Sequence, residues 1–167
     1  AHLWLDPENA KVMLGFISKN LSEIDPSNAK TYFANAEKAV ISLDALSTDI
    51  TKTLEPARGK KFIVFHDAYQ YFEQRFDVNS AAAISIHPEN PPGAKQIAAI
   101  QKIIVDEKVQ CVFAEPQFDN KLITVVTDGT AAKSATLDPI GSELPAGPTQ
   151  YTELMLNLAK NIAACMQ

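Results

Sequence analysis

Apolar and polar positions change their rhythm once along this chain, near residue 60. Before it, the period is helical. Pro7 to about Asn20 carries Val12, Met13, Phe16, Ile17 and Leu21 in a stripe at three- and four-residue steps, with Asp6 as N-cap and Pro7 in the first helical position. "IDPSNAK" restarts a helix at Asp25-Pro26 by the same cap logic. Tyr32, Phe33, Ala36, Val40, Leu43, Leu46 and Ile50 continue it, and no breaker intervenes before Pro56. That predicts a helix of about 28 residues, roughly 40 Å long at 1.5 Å per residue, enough to span two domains.

After residue 60, short apolar runs alternate with helical ones. "KFIVFH" predicts a strand, "DAYQYFEQRF" a helix and "AAAISI" a strand. A helix is expected from about Gly93 to Glu107, then a strand in "VQCVFAE" and a helix in "FDNKLITVVTDG" ending at Gly129. "SATLD" predicts a short strand, followed by a Gly/Pro-rich loop and a last helix from Thr149 to Cys165. Strands apolar on both faces and separated by helices predict an α/β fold: a parallel four-stranded sheet with helices on both faces, preceded by the long helix. Right-handed crossovers follow by default. The implied division is 1–59, a terminal region plus long helix, and 60–167, an α/β lobe.

Composition changes little in that picture. The chain has 167 residues, 46% hydrophobic and 21% charged, which suits a packed core rather than disorder. A net charge of −5, with no Lys/Arg-rich run, argues against nucleic acid and anionic membrane surfaces as partners. No apolar run approaches the roughly 20 residues of a membrane helix, so no direct insertion is expected. The chain opens at "AHLWLDP" without Met, in mid-motif, and we expect its natural start to lie upstream. Cys111 and Cys165 have no second Cys nearby, which excludes a zinc knuckle or CxxC. They read either as two inert buried thiols or as a disulfide tying the last helix to the sheet.

In a parallel sheet, ligands bind outside the carboxyl ends of the strands. The polar residues there are His66-Asp67 after the first strand, His87 after the second, Glu115 after the third and Asp138 after the fourth, with His2 before the first helix. His, Glu and Asp at neighbouring strand ends make a set of metal-ligand types. Each also has a structural reading: His66 as a satisfied histidine, Asp67 as the cap of the next helix, Glu115 as partner of a lysine, Asp138 as a turn opener, and His87 in an exposed loop. Nucleophilic catalysis finds no GxSxG, P-loop or GxGxxG, and "GSELPAG" is a poor phosphate cradle.

Four segments in order, "HLWLDP" (2–7), "FHDAYQYF" (65–72), "CVFAEPQF" (111–118) and "TLDPIG" (136–141), together with the final helix, resemble the ZnuA-type periplasmic zinc-binding proteins of bacterial ABC importers. The resemblance covers essentially the whole chain. It implies two lobes joined by one long rigid helix, with zinc captured in the cleft between them and delivered to a membrane permease. By that resemblance His2, His66 and Asp138 are metal ligands, Asp138 the least certain in zinc-type members, and Cys111 and Cys165 form a disulfide. Manganese-type relatives tend to carry a carboxylate at the position of His66, whereas an imidazole suits zinc. The N-terminal lobe, with a further histidine ligand, would be missing from this chain, so weak zinc binding by the chain alone is expected. Two other readings stand beside it. One is a manganese or iron carrier of the same cluster. The other is a zinc-dependent hydrolase with Glu115 as general base, which lacks any HExxH pair.

Overall fold

A computed structural model describes residues 2–85 and 92–167. Residues 61–167 contain four strands, β1 (Lys61–His66), β2 (Asn79–Ser85), β3 (Cys111–Ala114) and β4 (Lys133–Thr136), all parallel and in the order β2-β1-β3-β4. Six α-helices are described: α1 (Pro7–Ile24), α2 (Ala29–Thr53), α3 (Gln70–Phe76), α4 (Ala94–Asp106), α5 (Lys121–Thr127) and α6 (Gln150–Cys165). The α/β class and the helix–strand alternation agree with the sequence pattern. Among the described residues, no helix is long and apolar enough to cross a membrane.

Alternation along β1 divides the core. Phe62 and Val64 face one way, into a cluster with Leu46 and Ile50 of α2, Phe72 of α3, Phe113 of β3, and Met155 and Leu158 of α6. Ile63 and Phe65 face the other way, onto Ile100 and Ile104 of α4 and Ile123 and Val126 of α5. All four of these β1 side chains are buried, which is why the strand reads as an unbroken apolar run. β1 is thus an interior strand, with β2 on one side and β3 on the other.

The first two helices form an antiparallel hairpin, tied by Lys11 of α1 to Asp44 of α2 at 2.5 Å, and Lys11 also meets Glu8 within α1 at 2.7 Å. The expected long second helix is a 3-10 turn (Pro26–Asn28) followed by α2, and it ends at Thr53 as predicted. Asp25 differs from the cap expected of it. It accepts from the side chains of Ser27 at 2.6 Å, Asn28 at 2.7 Å and Tyr32 at 2.9 Å, not from a backbone N–H. These donors, Asn28 foremost, lower its pKa to about 2. A depressed carboxylate pKa adds stability above the unfolded value, and that stability disappears as pH falls through about 2. The urea midpoint of the wild type should therefore drop from pH 4 toward pH 2, and Asp25→Asn should flatten that part of the profile. An unaltered profile would count against this role for Asp25.

The stripe on α1 is only partly used. Phe16 is 65% exposed and Ile24 80% exposed. The α1 face away from the sheet has no apolar cover among the described residues.

Candidate metal site at the carboxyl end of the sheet

The strand order reverses between β1 and β3, since the chain runs from β1 outward to β2, then crosses back to β3 and on to β4. A crevice opens at such a switch point, outside the carboxyl ends of the two strands. His66 is the last residue of β1, and Glu115 directly follows β3. Their side chains meet across the crevice: Nδ1 of His66 lies 2.7 Å from Oε1 of Glu115. Glu115 therefore pairs with the histidine and not with a lysine. It is only 1% exposed, and its Oε2 has no hydrogen-bond partner among the described residues. The single O–H of Tyr69 donates to the same Oε1 at 3.2 Å, with the Leu137 carbonyl a longer second acceptor at 3.5 Å. Burial, followed by the charge of Glu115, drives the Tyr69 pKa far up, so Tyr69 keeps the proton that it donates here. The edge of Phe118 packs on the His66 ring, with centroids 5.9 Å apart.

His2 reaches this place from far away in sequence. Leu5 is fully buried, and the Trp4 indole N–H donates to the Pro139 carbonyl at 2.9 Å. The Tyr151 hydroxyl donates to the Trp4 carbonyl at 2.7 Å. Asp6 caps α1 by accepting from the Glu8 N–H at 2.9 Å, as the sequence predicts, and also takes a two-pronged contact from Arg75 at 2.7 and 3.0 Å. These contacts pin the start of the chain onto the α/β lobe. His2 itself is left-handed, with φ 58° and ψ 27°, a conformation histidine tolerates better than most residues. Its ring centroid lies 5.2 Å from that of His66. Partial burial, then the neighbouring His66, lowers the His2 pKa and favours the neutral imidazole, the form that binds metals. Trp4→Phe keeps an aromatic ring but removes the indole N–H together with part of the ring's bulk. It should cost about 1 kcal/mol in urea unfolding and weaken the NOE between the His2 and His66 rings. A Trp4→Phe protein with both values intact would show that the indole bond does not hold His2 in place.

Asp138 stands at the same end of the sheet, two residues past β4. Its carboxylate organises its own loop: it accepts from the backbone N–H groups of Ile140, Gly141 and Ser142, the Ser142 hydroxyl and the Gln117 amide. Partial burial disfavours the charge, but the donors, led by Ser142 and Gln117, prevail and hold the pKa below the ordinary carboxylate value. This is the turn-opening role that Asp-Pro suggests. Gly141, at φ +67°, permits the turn. Among the described residues, no three His, Cys, Asp or Glu side chains gather closely enough to hold a metal by themselves. The structure thus brings His2 and His66 together and leaves Asp138 engaged in its loop.

Asp67 does not cap α3. Its carboxylate accepts from the Gln70 side chain at 2.6 Å, and α3 starts late, at Gln70, after the buried Ala68-Tyr69 turn. His87 lies outside the described residues. Cys111 and Cys165 form a disulfide, with Cα atoms 6.0 Å apart. It joins the first residue of β3 to the last of α6, at the end of the sheet opposite His66. Tyr69 was not among the sequence candidates. A tyrosine directly behind "HDA", with a polar tip that needs a partner once buried, is the signal that points to it.

The chain is thus a parallel α/β lobe with two imidazoles converging at its switch point. The family model described as zinc-uptake complex component A, periplasmic (ZnuA), matches residues 1–165, and the chain belongs to that family. It is 46% identical over 165 residues to the high-affinity zinc uptake system protein ZnuA of Brucella abortus, covering 99% of this chain and 49% of that protein. It is 39% identical over 166 residues to the protein of the same name from Paracoccus denitrificans, covering 99% of this chain and 51% of the relative. The chain spans about half the length of these curated relatives. Among solved structures, a crystal structure of ZnuA superimposes with a TM-score of 0.87 at 26% identity, over 99% of this chain and 62% of the other. A Zn(II)-bound AdcAII mutant variant of Streptococcus pneumoniae gives a TM-score of 0.79 at 29% identity, over 96% and 60% respectively.

Proposed function

We propose that this chain is the C-terminal portion of a periplasmic carrier that captures zinc and delivers it to an ABC permease. In this reading residues 60–167 are one lobe, residues 1–59 are the end of the preceding region and its linker helix, and His2 and His66 are two of the ion's ligands. The observation that carries it is the 5.2 Å between the His2 and His66 ring centroids. Two imidazoles sharing a tetrahedral zinc through nitrogens about 2.0–2.1 Å away have ring centres about 5 Å apart. Zinc here is cargo, so a seat with exchangeable positions suits the task better than a closed structural site. Asp138 joins as a third ligand only by giving up hydrogen bonds in its loop, which makes it an adjustable partner. Membership of the zinc-uptake family and the relatives named for zinc uptake support zinc over other ions.

Competition titration tests the proposal. Zinc should displace manganese from the chain, in line with the general preference of nitrogen sites for zinc over manganese. The affinity should be weaker than that of a protein as long as its relatives, because no complete ligand set is present among the described residues. Retention of manganese against equal zinc would reject the zinc reading. Turnover of esters or peptides with zinc added would reject the carrier reading in favour of an enzyme.

A further inference from the structure

We propose that Glu115 is a positioning residue that locks His66 in the tautomer protonated on Nδ1, so that Nε2 is the bare nitrogen offered to the ion. Three observations converge on it. The 2.7 Å contact joins Nδ1 of His66, not Nε2, to Glu115. A carboxylate only accepts, so the imidazole must donate through Nδ1–H. Glu115 is also fixed in place: it is 1% exposed, follows β3 directly and accepts from the Tyr69 hydroxyl at 3.2 Å on the same oxygen, Oε1. A buried carboxylate needs a donor, so the pairing is enforced from both ends. Finally, Phe118 packs edge-on against the His66 ring and restrains its rotation. A free imidazole side chain prefers its proton on Nε2, which leaves Nδ1 rather than Nε2 as the bare nitrogen. The Glu115 bond reverses that preference before any ion arrives. A carboxylate behind a ligating histidine also makes the ring a better donor and supplies negative charge against the cation.

The inference rests on the zinc-carrier reading for its purpose but not for its geometry, so the test separates the two. Side-chain 15N NMR of the metal-free chain at about pH 8, where an ordinary imidazole is neutral, reads the tautomer of each histidine directly. The wild type should show His66 with Nδ1–H and a bare Nε2. Glu115→Leu should shift His66 toward Nε2–H and weaken zinc binding by about 10–100-fold. Glu115→Gln is the isosteric control should the leucine variant fail to fold. Its amide can present oxygen or nitrogen, and zinc affinity should follow whichever tautomer results. On zinc addition, the wild-type Nε2 resonance should move while Nδ1–H persists. A wild-type His66 protonated on Nε2 overturns the proposal. So does loss of Nδ1–H when zinc binds, or a reversed tautomer with unchanged zinc affinity. If Nδ1–H is present but zinc leaves His66 untouched, the tautomer assignment stands and the carrier reading alone fails.

Discussion

His66→Ala should weaken zinc binding by more than about 100-fold, beyond the roughly 10–100-fold that loss of an outer-shell partner costs. The substitution removes a nitrogen donor from the seat and also strands Glu115. That carboxylate is 1% exposed and has Tyr69 as its only other donor among the described contacts. A buried charge stripped of its partner is destabilising in itself. A loss of stability is therefore expected alongside the loss of affinity, and the two must be measured apart. Thermal unfolding without metal gives the first, and competition with a chromophoric chelator gives the second. His66→Glu separates them differently. It restores a ligand but with oxygen, and it sets two carboxylates against each other across the β1–β3 crevice. Preference should move from zinc toward manganese, as hard-ligand chemistry requires. A His66→Ala protein that holds zinc as tightly as wild type would remove His66 from the site.

Opening the Cys111–Cys165 disulfide should lower stability by about 4 kcal/mol in the chain-entropy model, for a closed loop of 54 positions. For a domain of this size that corresponds to a fall of roughly 8–16 °C in Tm. The bond closes about half of the α/β lobe, linking the start of β3 to the end of α6. Both cysteines are buried, Cys111 fully, so an alanine pair is a better test than a serine pair, which would add buried hydroxyls. The bridge lies at the end of the sheet opposite His66 and touches none of the site residues. The double alanine variant should thus keep the wild-type zinc affinity at temperatures where it stays folded. Equal loss of both properties would show that the two ends of the sheet are coupled.

Much of the architecture was legible in the residue pattern because local rules govern it. The apolar run of β1 announces a strand covered on both faces, and Asp6-Pro7 announces a helix start through cap chemistry that acts over two residues. Local rules give way where a side chain has competing local and distant partners. Asp67 looks like a cap by position, yet the buried Ala68-Tyr69 turn delays α3 and leaves Asp67 with Gln70. Asp25 looks like a backbone cap, yet its oxygens are taken by three side chains. Glu115 could have met any cation, and nothing in "FAEPQF" specifies an imidazole. The α1 stripe is real, but a period cannot say what covers it.

The sequence by itself determined the alternation of strands and helices, the parallel class and the short set of polar residues at strand ends. Its period-two and three-to-four patterns record which side of each element avoids water, a property each segment carries alone. The strand order was decided only by tertiary structure. So was the switch point between β1 and β3, where His66 and Glu115, 49 positions apart, come within 2.7 Å. His2 likewise arrives beside His66 from the start of the chain, which the Trp4 bond to Pro139 ties to the lobe across 135 positions. Contacts at such separations depend on how the layers close over one core, and no local pattern encodes that closure.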